Sequence, residues 1–240
     1  MKKIIAVLSF VFFGIQVLPA QTIKGLFDRV SKTVAPGSGN LSNEEIISGL
    51  RDALRVGTDS SSKRLSKVNG FFSDAAIKIL MPEEAKKVEK TLRSFGMGGM
   101  VDKAVLSMNR AAEDATSGVG NIFWDAIKKM SITDGLKILR GGDFAATDYL
   151  KSITTQELTE KFRPVIEASL VKMDATKYWK DLFTTYNKFS SNQVNTDLTA
   201  YVTERALSGL FLKISLEEQK IRKNPAAQVT DILKKVFGGK

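Results

Sequence analysis

The sequence predicts an all-α protein: one compact bundle of about ten helices with short loops and no sheet. Three features predict it. Apolar residues return every three or four positions, as in Ile46, Ile47, Leu50, Ala53 and Leu54, or Val101, Val105, Met108, Ala112 and Ala115. That is the spacing of one helix face. Hydroxyl residues followed three positions later by an acid mark helix starts at Ser42–Glu45, Ser131–Asp134 and Thr154–Glu157. Glycine and proline mostly fall between the periodic stretches, and no stretch alternates apolar and polar residues as a half-buried strand would.

Residues 1–20 read as a secretory signal peptide. Lys2 and Lys3 precede an apolar run from Ile4 to Val17, and Pro19-Ala20-Gln21 offers a cut after Ala20. Leu18 is larger than the residue usually found three positions before such a cut, which leaves the bond open. The alternative is an uncleaved membrane anchor. No cysteine follows to carry a lipoprotein thiol, and no later stretch is apolar and long enough to span a bilayer. The expected compartment is periplasmic or extracellular.

Residues 21–41 are expected to form a short helix and a linker. Ile23, Leu26, Phe27, Val30 and Val34 share a face, and Pro36-Gly37-Ser38-Gly39-Asn40 breaks it. Residues 42–240 form the helical domain, with a split near Gly118–Gly120 as the alternative. Its first helix starts at Ser42 and ends near Asn69-Gly70. Phe71, Phe72, Ile77, Ile79 and Leu80 make an irregular apolar connector. Pro82 suits the first turn of the next helix. Glu83/Lys87 and Glu89/Arg93 pair along that helix, which stops at Gly96.

After a glycine turn, helices run from about Met100 to Thr116 and from Ile122 to Met130. Ser131 opens another, closed by Gly141-Gly142. Asp143 caps Phe144 to Ile153, and Thr154 with Glu157 starts a new helix towards Met173, kinked at Pro164. Asp174 caps a helix bearing Tyr178, Trp179, Leu182, Phe183 and Tyr186. Ser190 to Thr196 is a loop, and Asp197 opens a long helix to about Arg222. Asn224-Pro225 starts the last helix, through Val236-Phe237. Its apolar Val229, Ile232, Leu233 and Val236 oppose Lys234, Lys235 and Lys240. Docking on the domain is expected, with an anionic membrane surface as the alternative.

Composition narrows the chemistry. The chain has no cysteine and no histidine. Zinc sites of Cys or His, Ser-His-Asp and Cys-His catalysis, and haem ligation by either residue are therefore excluded. The net charge is +10, and removing Lys2 and Lys3 leaves +8. Basic and acidic residues interleave along the chain, so the charge reads first as spread over the surface; the alternative, outside the cytoplasm, is a contact with anionic envelope components or lipid rather than nucleic acid. Gly96-x-Gly98-Gly99 lacks the spacing of a phosphate-binding loop, and Asp59-Ser60-Ser61-Ser62 lacks the terminal Glu of a calcium loop. Glu44-Glu45, Glu83-Glu84 and Glu217-Glu218 are adjacent on helices, about 100° apart, and do not face one cleft. No catalytic residue, metal ligand or cofactor is assigned.

Polar residues set among apolar ones are the candidate recognition groups: Asn109, Arg110, Glu113, Asp143, Glu160, Arg163, Tyr201 and Glu204. They read either as inter-helix ion pairs or as a pocket for an anionic group or a partner. Met97, Met100 and Met108 motivate a second reading, a carrier with an apolar cavity between helices. A third is an enzyme using carboxylate, Lys or Tyr.

The segments Ser-Met-Asn-Arg-Ala-Ala-Glu (107–113), Asp-Ala-Ile-Lys-Lys-Met-Ser (125–131), Gly-Gly-Asp-Phe-Ala-Ala-Thr (141–147), Glu-Lys-Phe-Arg-Pro (160–164) and Asn-Pro-Ala-Ala (224–227) resemble a bacterial family of signal-peptide-bearing helical proteins, a domain of unknown function. The resemblance runs from about Leu41 to Gly238. It implies an envelope location and one helical domain, and brings no reaction or cofactor. The expectation is a secreted or periplasmic, non-enzymatic binding protein.

Overall fold

The computed structural model of the protein describes residues 42–172, 174–188, 193–194 and 196–224. The expected signal peptide, the helix and linker of residues 21–41, and the last helix after Asn224 lie outside the described residues, as do the side chains of Tyr178 and Leu182. Among the described residues the regular elements are helical, with no strand.

Helix α1 is Asn43–Leu65. Its start is the reciprocal cap expected from the sequence. The Ser42 hydroxyl accepts from the Glu45 amide at 3.1 Å, and the Glu45 carboxylate accepts from the Ser42 amide at 2.8 Å. Ile46, Ile47, Leu50, Ala53 and Leu54 are buried, and so are Thr58 and Ser62 further on. Those two hydroxyls donate back to the carbonyls of Leu54 and Thr58, each at 2.8 Å, which lets them face inward. The helix stops at Leu65, short of Asn69-Gly70, and Asn69 takes a left-handed φ of 70°. The chain turns early there and brings Phe71 into the core.

A connector leads to a single 3-10 turn, Glu83–Ala85, and to helix α2, Lys86–Ser94. Pro82 precedes the turn in extended geometry instead of lying in a first α-helical turn. Glu83 pairs with Lys86 at 2.6 Å, not Lys87, because the tight turn places the i+3 residue beside it. Glu89 and Arg93 pair as expected, at 2.9 Å. Gly96 closes α2 with φ 77°, while the Met97 amide reaches back to the Leu92 carbonyl at 2.9 Å. A side chain at that φ would be strained, so glycine suits the position.

Helices α3 (Gly98–Thr116), α4 (Gly120–Lys129) and α5 (Ile132–Arg140) follow. Ser131 and Asp134 form the expected box at the start of α5. Helix α6 is Ala145–Lys172, one helix where two were expected. Thr154 caps nothing. It is buried on a stripe with Leu150, Leu158, Phe162, Ile166 and Leu170, and its hydroxyl donates to the Leu150 carbonyl at 2.7 Å. A four-residue apolar period running through the Thr154–Glu157 pattern favours continuation over a break. Pro164 lies inside the helix and has no N–H for the Glu160 carbonyl.

Helix α7 is Ala175–Asn187 and α8 is Leu198–Lys223. Asp174 has φ 54° rather than the extended geometry of a cap residue, whereas Asp197 accepts from the Ala200 amide at 2.8 Å and caps α8 as expected. The most extensive packing is of α6 against α8 and α3, and α1 also lies along α8 and α4. One contiguous apolar cluster runs from Ile47 to Ile214. Phe123 of α4 meets Phe211 of α8 edge to face, with centroids 6.1 Å apart.

The start of α6 is not closed by Asp143. Glu218 of α8 accepts from the amides of Ala146 and Thr147 at 2.9 and 2.8 Å and from the Thr147 hydroxyl at 2.8 Å. Arg222, one turn on, pairs with Glu218 at 2.8 Å and donates to the Ile138 carbonyl at 2.9 Å. Asp143 instead receives Gln219 at 3.1 Å and the Lys223 ammonium. A buried carboxylate facing a helix N-terminus is stabilised by the peptide dipoles as well as by its cation. Glu218→Ala removes the acceptor of the α6 amides and the carboxylate that balances Arg222, and should lower the unfolding free energy by about 3–5 kcal/mol in urea titration. Glu218→Gln keeps an acceptor and should cost less.

Candidate functional site

The connector between α1 and the 3-10 turn, residues 66–82, has no regular structure of its own, yet Phe71, Ile77, Ile79 and Met81 are buried. Buried main-chain groups outside helices need partners from elsewhere. Turns within the connector supply some, and helix α3 supplies those of Phe71, Phe72 and Ile79. The Asn109 carboxamide accepts from the Ile79 amide at 2.9 Å and donates to the carbonyls of Ile79 and Val105 at 2.8 and 2.7 Å. One oxygen of Glu113 accepts from the amides of Phe71 and Phe72 at 3.1 and 3.2 Å. The other accepts from Arg110, which also donates to the Asn69 carboxamide at 2.8 Å.

Helix α8 holds the other side. The Tyr201 hydroxyl donates to the Leu80 carbonyl at 2.9 Å, and Lys213 pairs with Asp74 at 2.5 Å. Gly209 sets the spacing: a Cβ there would lie 2.8 Å from the Phe71 ring and 3.2 Å from Ile77 Cβ. Connector and helix approach this closely because Gly209 has no side chain.

The gap left between connector and the first half of α8 is a groove of about 530 Å³. Leu80, Leu212 and Trp179 give it an apolar lining, and Glu83, Glu84 and Glu204 give it carboxylates. Its cations are engaged: Arg205 lies 5.5 Å from the Tyr201 ring and 3.3 Å from Glu204, and the Lys78 ammonium sits 3.9 Å over the Phe72 ring. Burial raises the Tyr201 pKa, and the charges of Glu84, Glu204 and Glu83 raise it further against Arg205. The phenol is therefore a fixed hydrogen-bond donor at neutral pH, not a base.

The expected recognition residues separate. Tyr201 and Glu204 line the groove, and Asn109 stands behind it, holding Ile79 of its wall. Arg110 and Glu113 grip the start of the connector. Arg163 pairs with Asp197 at 2.7 Å, and Glu160 accepts from Gln156 of its own helix at 3.1 Å. Asp143 lies at the far end of α8. Leu80, Glu83, Glu84, Arg205 and Leu212 line the groove and were not among the candidates. Their signal was an apolar run ending in Pro82-Glu83-Glu84, but the facing helix lies more than a hundred residues on.

A void between α1, α6 and α8, lined by Leu50, Leu54, Ile214 and Ile221 together with Glu218 and Arg222, measures about 30 Å³. That is room on the order of one water, not an acyl chain. Among the described residues no group of three or more Asp or Glu is placed to hold a metal ion, and no helix is long and apolar enough to cross a membrane.

Two outcomes test the connector's anchoring. Asn109→Ala leaves both polar groups of Ile79 unpaired in the core and should cost about 2–3 kcal/mol in chemical denaturation. Asp74 gives a pH signature. Burial alone would raise its pKa, but hydrogen bonds from Lys213 and the Ala76 amide and the charges of Lys213 and Arg64 outweigh burial and hold it below 3.8. A carboxyl depressed in the folded state adds stability above its unfolded pKa, and that stability is lost as pH falls through the folded value. Asp74→Asn should therefore flatten the fall of Tm below about pH 4.

No curated protein and no solved structure matches the chain. A family model does, over residues 40–238, under the description "Protein of unknown function (DUF4197)". The matched stretch contains every helix above and all of the groove. The chain belongs to the DUF4197 family.

Proposed function

We propose that this chain is a non-enzymatic binding protein of the bacterial cell envelope, exported by residues 1–20 and cut after Ala20. Its recognition surface is the groove beside α8, and its ligand is a basic peptide segment of a partner protein that also carries apolar side chains. The observation that carries this reading is the charge of the groove. The chain as a whole is +10, yet Glu83, Glu84 and Glu204 outnumber Lys78 and Arg205 around one cleft of mixed apolar and polar lining.

Leu80 and Leu212 are 55% and 39% exposed there, and Glu84 has no ion pair among the described residues. Apolar surface and free carboxylate together suit a cationic, amphipathic segment. An anionic ligand is less well served. Arg110 and Arg163, the cations expected to meet one, are engaged by Glu113 and Asp197. For the carrier reading, the void between α1, α6 and α8 measures only about 30 Å³, too small for an acyl chain.

Trp179 lies in the groove wall and serves as the reporter. Titration with a Lys/Leu-rich peptide should change its fluorescence, and the affinity should fall with salt. Glu84→Gln with Glu204→Gln should weaken binding at least about tenfold, or about 1.4 kcal/mol. A Glu/Leu-rich peptide of the same length should not bind. Absence of a response to the basic peptide, or equal affinity of the double variant, rejects the reading.

A further inference from the structure

The turn between α2 and α3 is the most apolar exposed point among the described residues. Phe95, Met97 and Met100 are 76%, 42% and 53% exposed. Three large apolar side chains within six positions occur at no other exposed site described. We infer that this turn is a lipid-contact tip, which places Phe95, Met97 and Met100 in the interface of an anionic membrane. The inference is independent of the groove.

The tip is held in shape. Arg93 bonds Glu89 at 2.9 Å and Asp102 at 2.8 Å, strapping the end of α2 to the start of α3. Below it, the Met97 amide closes on the Leu92 carbonyl at 2.9 Å across the left-handed Gly96. A Cβ at Gly96 or Gly99 would meet nothing within 4 Å, so the turn stands clear of the rest of the protein. The three side chains are thus presented by a fixed hairpin and lose little conformational freedom on insertion.

Charge selects the surface. Residues 86–103 hold five basic and two acidic residues, a net +3. Both acids are bound to Arg93, while Lys90 and Lys103, flanking the apolar residues, have no carboxylate partner among the described residues. Lysines beside an apolar wedge favour anionic headgroups over neutral ones. Shape favours lipid over protein. Three side chains on a convex tip offer on the order of 300 Å², against about 800 Å² per partner in a stable protein interface. A bilayer interface deforms around such a tip and demands no matching pocket.

The chain has no cysteine, so one can be introduced as a single labelling site. The protein is taken as purified from producing cells, after any N-terminal processing there. Met97→Cys carrying an environment-sensitive fluorophore should shift to the blue with phosphatidylcholine vesicles containing phosphatidylglycerol, and not with phosphatidylcholine alone. The shift should shrink in about 0.5 M salt. Phe95→Ser with Met100→Ser, and separately Lys90→Glu with Lys103→Glu, should each cut vesicle co-sedimentation at least about tenfold with an unchanged circular dichroism spectrum. The inference is overturned by no shift with anionic vesicles, by an equal shift with neutral ones, by unchanged co-sedimentation of either folded variant, or by a shift seen only with lipid-stripped envelope protein.

Discussion

Residues 66–82 run along a helical protein without being helical, sinking Phe71, Ile77, Ile79 and Met81 into its core, and the neighbouring helices accommodate their main chain. Each buried amide and carbonyl there must be hydrogen-bonded or carry a desolvation cost. Asn109 and Glu113, one turn apart on α3, answer for Phe71, Phe72 and Ile79. Tyr201 answers from α8 for the Leu80 carbonyl, Lys213 pairs there with the Asp74 side chain, and Gly209 removes the side chain that would keep that helix away. The groove exists because the connector is pinned on two sides and leaves a gap beside α8. Asn187 repeats the device at smaller scale, with its carboxamide accepting from and donating to Val194, both at 2.8 Å.

The same principle decides where charge is buried. Glu113 and Glu218 are both buried carboxylates facing main-chain amides, and each has an arginine on its own helix, three or four residues away. An arginine so placed lowers the cost of burial while its remaining donors reach a neighbouring element: Asn69 in one case, the Ile138 carbonyl in the other. Of the residues that read as a binding cluster by composition, Asn109, Arg110 and Glu113 bond the connector, and Arg163 and Asp143 join neighbouring elements. The carboxylates left to face solvent in the groove are on the 3-10 turn and the outer side of α8.

Much of the helical layout was legible. Ser42–Glu45 and Ser131–Asp134 close their own helix starts, because a cap of this kind is complete within four residues. Thr154–Glu157 shows the same pattern and fails. Leu150, Leu158 and Phe162 bury that face, and the Thr154 hydroxyl turns back to Leu150. Asn109, Glu113 and Tyr201 stood out as polar residues among apolar ones, but their partners lie 30 to 121 positions away. No local pattern names such a partner. The groove was missed for the same reason, since its walls come from residues 76–84 and 201–212.

By itself the sequence determined the helical class, most helix starts, the irregular connector and the chemistries closed to a chain without cysteine or histidine. These depend on side-chain type and on contacts within a turn of helix. Only the tertiary structure decided that Glu218 rather than Asp143 closes α6, that Asn109 and Glu113 hold the main chain of the connector, and that three carboxylates line one groove. A buried polar group takes whichever partner folding brings within about 3 Å, and that proximity is a property of the packed helices, not of their order along the chain.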